Sequence, residues 1–203
     1  MVQAITVGPL AVNCYLAWDA DTRQGVVIDP GDDPDDIADV IAATGMTPTA
    51  VLLTHGHVDH IRGVGGLVRR YPVPVYVHAA DRGLYLSPAN ALEPWLPAAG
   101  GLPEPVVDLP GCGGLAVCVL ATPGHTPGSV CFHLPQAGVL FSGDTLFCGG
   151  VGRTDLPGGS GLALDRSIRS VVYALAAETL VYPGHGDVTT VGAEKRTNPF
   201  VRP

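Results

Sequence analysis

Short runs of β-branched and other apolar residues recur along the chain, and each breaks off abruptly into polar, glycine-rich sequence. GVVIDPGDD covers 25–33, TAVLLTHGHVDH 49–60, LAVCVLATPGHT 115–126, GVLFSGDT 138–145 and TLVYPGHGD 179–187. Apolar runs of this kind, bounded by turn signals, predict buried strands. Two further strands, 3–7 and 13–18, are expected as an edge hairpin. Helical patterns lie between some of the runs. Asp32-Asp33-Pro34 predicts a cap for an amphipathic stretch from about Asp35 to Thr44, closed by Gly45. A second helix is expected from about Val58 to Tyr71 and a third from about Leu162 to Ala177. Strands alternating with helices, with hairpins mixed in, predict sheets covered by helices: an α/β layered sandwich.

No linker-like stretch divides the 203 residues, so 1–203 is expected to form a single domain. The least regular segment runs from Tyr85 to Pro110. It is expected as a surface loop holding one packed tryptophan, Trp95, with a lid or pocket wall as the alternative.

Composition removes several classes of function. A chain that is 46% hydrophobic and 15% charged is not disordered. No apolar run approaches the roughly 18 residues of a membrane span. The start, MVQAITVGPL, lacks a basic region followed by an apolar stretch, so no secretory signal is expected and the location is read as cytoplasmic. Nineteen acidic against eleven basic residues give a formal charge of −8, which disfavours nucleic-acid partners. The five cysteines show no CxxC pair and argue against a disulfide framework. Cys14, Cys118 and Cys131 sit in apolar or alternating runs and are expected as small core residues. Cys148 has no neighbouring base in view, and His78 and His133 are expected to be structural.

The chemistry concentrates where the apolar runs stop. His55, His57, His60, His125 and His185 follow such runs immediately, as do Asp29, Asp59 and Asp144. Ligands in open α/β sheets gather beyond the carboxyl ends of strands. In His55-Gly56-His57-Val58-Asp59-His60, positions 55 and 57 point the same way in extended backbone, while the start of a helix turns Asp59 and His60 elsewhere. Such a segment can present two imidazoles to one ion and a carboxylate with an imidazole to another. His125 can complete three nitrogens with His55 and His57, and His185 can join Asp59 and His60. Asp144 has two oxygens and suits a bridging position. Zinc is the first choice for imidazole and carboxylate ligands, with iron and manganese also accepted.

THGHVDH, PGHT, SGDTLF and YPGHG, in this order, resemble the metallo-β-lactamase superfamily, and VIDPG, GRTDLPGG and EKRTNPF extend the likeness to its glyoxalase II-like branch. The resemblance implies a four-layer αββα sandwich with two divalent metal ions at one edge. His55, His57 and His125 would hold one, Asp59, His60 and His185 the other, and Asp144 would bridge them. Asp29 would orient a ligand imidazole from behind. Asp59 and Asp144 would be the catalytic carboxylates, with a metal-bridging hydroxide attacking the substrate.

The implied reaction is hydrolysis of a small thioester, an S-(2-hydroxyacyl)glutathione such as S-lactoylglutathione. Only residues 186–203 follow His185, so no separate C-terminal glutathione-binding domain is expected. Arg153 is a candidate for a substrate carboxylate, or else pairs with Asp155. The alternative activity is that of an iron-dependent glutathione persulfide dioxygenase, from which the imidazole of PGHG at 183–186 distinguishes this chain. β-Lactamase activity is disfavoured by Asp144, which stands where many such enzymes carry cysteine.

Overall fold

The computed structural model describes residues 1–202, which divide into two compact units, one of residues 1–115 and a second that begins at Ala116. In the first unit the chain order is β1 (Val2–Val7), β2 (Val12–Trp18), β3 (Gln24–Ile28), α1 (Pro34–Thr44), β4 (Thr47–Leu52), α2 (Val58–Ile61), α3 (Val64–Arg70), β5 (Val75–Tyr76) and α4 (Arg82–Tyr85). The five strands form one sheet in sequence order: β1, β2 and β3 pair antiparallel, then β3, β4 and β5 run parallel. The expected edge hairpin is therefore β1–β2, although only β1 lies at the edge and β2 is buried along its whole length. Helix α1 places Ile37, Ala38 and Ile41 on one buried face, and these join Leu16, Val27, Val51, Leu53 and Leu67 in the core. Truncating one such large aliphatic side chain to alanine costs about 2–5 kcal/mol.

In the second unit the order is β6 (Cys118–Ala121), β7 (Val130–Leu134), β8 (Val139–Gly143), β9 (Leu146–Phe147), β10 (Gly150–Val151), α5 (Gly161–Ser167), β11 (Leu180–Pro183), β12 (Thr189–Thr190) and α6 (Val191–Thr197). Its main sheet has the order β12-β11-β8-β7-β6, and β9–β10 is a separate hairpin. Strands β8 and β11 run parallel, whereas β6, β7 and β8 alternate in direction. The core gathers Cys131, Leu140, Leu164, Ile168, Val172 and Val181.

Several expectations need correction. The helix predicted over Val58–Tyr71 is two short helices. Gly63 donates to the Pro30 carbonyl at 2.9 Å, and a β-carbon at Gly63 would lie 2.7 Å from that oxygen. The Asp29–Asp33 loop is thus pressed onto the break. The third helix keeps α geometry only over Gly161–Ser167 and continues as a π turn over Ile168–Val172. Asp33 does not cap α1 with its side chain; it adopts φ +46 and accepts from the Gly8 amide at 2.9 Å. Trp95 is 59% exposed, and its neighbour Leu96 is buried instead. Cys118 is exposed because β6 is an edge strand, whereas Cys14 and Cys131 are buried as expected. No described helix is long and apolar enough to cross a membrane.

Candidate metal centre

Strand direction explains why the candidate residues fall together within each unit. β3 and β4 run parallel with Ile28 opposite Leu52, so Asp29 and the Thr54–His55 turn leave the same edge of the sheet. The Asp29 amide donates to the Leu52 carbonyl at 3.1 Å and fixes this exit. Asp29 itself takes φ +49, a left-handed conformation that aspartate tolerates better than most residues.

Asp29 is a buried hub. Its Oδ1 accepts from the Thr54 amide at 2.8 Å, and its Oδ2 accepts from Thr54 Oγ1 at 2.6 Å and from His60 Nδ1 at 2.9 Å. Because the Thr54 hydroxyl hydrogen goes to Asp29, its oxygen is the acceptor for His55 Nδ1 at 3.1 Å. Both imidazoles thereby carry their hydrogen on Nδ1 and present Nε2 forward. One ligand atom each from His55, Asp59 and His60 lie within 4.8 Å of one another, with His60 Nε2 3.8 Å from Asp59 Oδ2. The His55 ring centroid lies 4.9 Å from that of His57 and 4.2 Å from that of His60. His55 thus serves both halves of the motif, where alternation alone would have separated 55 and 57 from 59 and 60.

Glycines permit this crowding. A β-carbon at Gly31 would fall 1.7 Å from the Asp59 carbonyl oxygen, and one at Gly56 would meet the Tyr85 amide at 3.0 Å. The Gly56 amide donates to Asp81 Oδ2 at 3.0 Å. Asp81 is fully buried and braces the histidine loop from beneath. Sequence reasoning missed it, because an aspartate after an alanine pair has no local motif.

In the second unit β6, β8 and β11 run in one direction, so His125, Asp144 and His185 all follow strand ends on one edge. Asp144 lies between the two imidazoles: its Oδ2 is 3.7 Å from His125 Nε2 and its Oδ1 is 3.8 Å from His185 Nε2. His125 Nδ1 donates to the Arg153 carbonyl at 2.8 Å, which turns Nε2 towards the carboxylate. The GRTD segment is held close by Gly152, where a β-carbon would lie 1.8 Å from the Asp144 carbonyl oxygen. Phe147 meets the His185 ring edge-on at 6.1 Å.

The Arg153 guanidinium chelates Asp155 through two 2.7 Å bonds, the salt-bridge alternative for this residue. The two hydrogen bonds hold the Asp155 carboxyl at about 2. His78 caps a short turn by accepting from the Ala80 amide, and burial lowers the pKa of His133. Both fit structural roles.

Buried imidazoles backed on Nδ1, beside carboxylates, are the donor set that divalent metal ions take. The Metallo-beta-lactamase superfamily model matches residues 7–185. The chain belongs to this superfamily and has its α/β fold. It is 40% identical to an uncharacterized protein of Mycobacterium tuberculosis, covering 99% of this chain and 97% of that one. It is 37% identical to the probable metallo-hydrolase YqgX of Bacillus subtilis (96% and 94% covered) and 35% identical to the hydroxyacylglutathione hydrolase GloC of Haemophilus influenzae (98% and 97%). Among solved structures it resembles the BLEG-1 B3 metallo-beta-lactamase, with TM-score 0.92 and 36% identity over 99% of both chains. It also resembles TTHA1623 in a di-iron-bound form, with TM-score 0.83 and 41% identity over 98% of this chain and 100% of that one.

Proposed function

We propose that the protein is a metal-dependent thioester hydrolase acting on S-(2-hydroxyacyl)glutathione-type substrates such as S-lactoylglutathione. In this reading His55, His57 and His125 would hold one divalent ion, Asp59, His60 and His185 would hold the second, and Asp144 would be shared by both. The observation that carries it is the backing of the imidazoles. His55, His60 and His125 each donate from Nδ1 to a fixed oxygen, a hydroxyl, a carboxylate and a carbonyl in turn, so that Nε2 faces the carboxylates. Three independent arrangements with one outcome are what a ligand set needs and what solvated histidines lack.

Divalent ions held there would supply a water of near-neutral pKa and a polarised carbonyl. The chain's own residues supply the rest. Asp59 and Asp144 offset the positive charge, and each can accept a hydrogen bond from the attacking water and aim it. A thioester suits such a site because a thiol of pKa about 8.5 leaves as thiolate without a proton donor. The likeness to GloC across nearly the whole chain supports this substrate class. Zinc and iron both satisfy the donor set, and the di-iron form of TTHA1623 keeps iron in view.

The test is metal analysis of the purified protein beside three assays: S-lactoylglutathione hydrolysis, oxygen uptake on glutathione persulfide, and β-lactam hydrolysis. The expected result is two metal ions per chain and turnover of the thioester alone, with Asp144→Ala losing both activity and metal. One iron with oxygen uptake on the persulfide would establish the dioxygenase alternative. β-Lactam turnover without thioester turnover would replace the substrate class.

A further inference from the structure

The Glu194–Phe200 stretch, EKRTNPF, has no role in the reaction just proposed, yet it contains a dense buried polar arrangement of the second unit. Glu194 and Asn198 are 2% and 1% exposed. Three donors converge on the Glu194 carboxylate: Thr189 Oγ1 on Oε1 at 2.7 Å, and the Gly149 amide at 3.0 Å and Asn198 Nδ2 at 2.8 Å on Oε2. Asn198 Nδ2 also donates to the Gly150 carbonyl at 3.1 Å, while its Oδ1 accepts from the Phe200 and Val201 amides. Lys195 is directed elsewhere, donating to the Tyr173 carbonyl at 3.1 Å.

The partners of Glu194 are informative. Gly149 forms the turn of the β9–β10 hairpin with φ +68, and this hairpin starts two residues after Asp144. On it Phe147 pairs in register with Gly150 and turns its ring edge-on to His185. Thr189 opens β12, four residues after His185. One buried carboxylate therefore ties together the segments that leave both Asp144 and His185. His185 is the histidine of the candidate set most in need of outside support, with 27% of its side chain exposed against 3% or less for the others. Burying a carboxylate is costly, and apolar packing would hold a hairpin at least as well. What the polar arrangement adds is register, since three donors on two oxygens admit a single geometry.

We infer that Glu194, supported by Asn198, is a positioning residue for the His185–Asp144 half of the metal centre, acting through the Phe147 hairpin and the Thr189 strand. The inference rests on the reading of His185 and Asp144 as metal ligands. It is tested on the full chain, stripped of metal and titrated with Zn²⁺ alone, in the wild type, Glu194→Gln and Thr189→Val. Thermal unfolding of the metal-free proteins is recorded in parallel. Glu194→Gln removes the negative charge and leaves one acceptor oxygen where there were two, so the Thr189 hydroxyl must reverse and accept from the new NH₂. It should weaken the ion assigned to Asp59, His60 and His185 roughly 10-fold, the lower end of the range for partners behind the ligands, and affect the other ion less, through the shared Asp144 alone. The kcat for S-lactoylglutathione should fall while KM stays within about twofold, a split that general loosening of the fold would not give. Thr189→Val keeps the side-chain volume and removes one donor, so it should show the same split in smaller measure even if Glu194→Gln does not fold. Folded variants that bind both ions like the wild type, whatever their unfolding temperature, overturn the inference and leave the proposed function standing. A wild type that takes up no metal overturns both.

Discussion

Replacing Asp29 with asparagine changes one oxygen for an amide and tests how the first unit aims His60. The carboxylate accepts three hydrogen bonds, with Thr54 Oγ1 and His60 Nδ1 sharing Oδ2 and the Thr54 amide on Oδ1. An asparagine that keeps its oxygen on the Thr54 amide turns its NH₂ towards His60 Nδ1. His60 must then move its hydrogen to Nε2, the atom 3.8 Å from Asp59 that the proposed ion requires. The reverse orientation sets the NH₂ against the Thr54 amide, a buried donor–donor contact costing about 1–3 kcal/mol. Changes behind a ligand histidine typically cost 10–100-fold in metal affinity, equivalent to about 1.4–2.8 kcal/mol. Competition titration with a zinc chelator should show this loss for one ion of the pair, and ¹⁵N NMR of the metal-free variant should show His60 protonated on Nε2. Unchanged affinity together with a hydrogen retained on Nδ1 would refute the assignment of Asp29.

Gly152→Ala forces the Asp144 carbonyl away from a 1.8 Å overlap, a shift of more than an ångström beside the proposed bridge. Displacements of that size cost about 10²-fold in rate, so kcat should fall by this order while circular dichroism stays native; unaltered kcat contradicts the tight packing of GRTD on Asp144. The Asp155 carboxyl, held at about 2 chiefly by its hydrogen bonds from Arg153, should titrate there by NMR and rise towards the ordinary value of about 3.9 in Arg153→Gln. Its folded value is depressed, so its stabilising contribution is present above the unfolded pKa and is lost as pH falls from about 4 through 2. A wild-type midpoint near 4 would show the pair open in solution. Burial pushes the Cys131 thiol up to about 11 and raises those of Cys14 and Cys112, whereas Cys118 and Cys148 are exposed. Iodoacetamide at pH 8 should therefore label Cys118 and Cys148 by mass spectrometry and spare Cys131; rapid labelling of Cys131 would contradict the buried β7 strand.

The strand ends were legible because period and punctuation are local. Each apolar run stops where the backbone leaves its sheet, and the candidate histidines and aspartates stand at those points. Directions within the sheets, which bring Asp29 beside Thr54 and Asp144 beside His125, follow from pairing and were not visible in any one segment. The same limit explains Asp81, whose partner Gly56 lies 25 residues away, and the link from Glu194 to Gly149, 45 residues away. The break at Gly63 was hidden because the helical period continues through it, while its cause is the distant Pro30 carbonyl. Trp95 shows the opposite limit: a large aromatic among prolines suggests packing, yet Leu96 beside it takes the buried place.

The most direct measurement is a metal-loaded crystal structure with the ions located by anomalous scattering. Two ions are expected, one on His55, His57 and His125, the other on Asp59, His60 and His185, with Asp144 touching both. A lone ion, or an Asp144 carboxylate that contacts none, would contradict this arrangement.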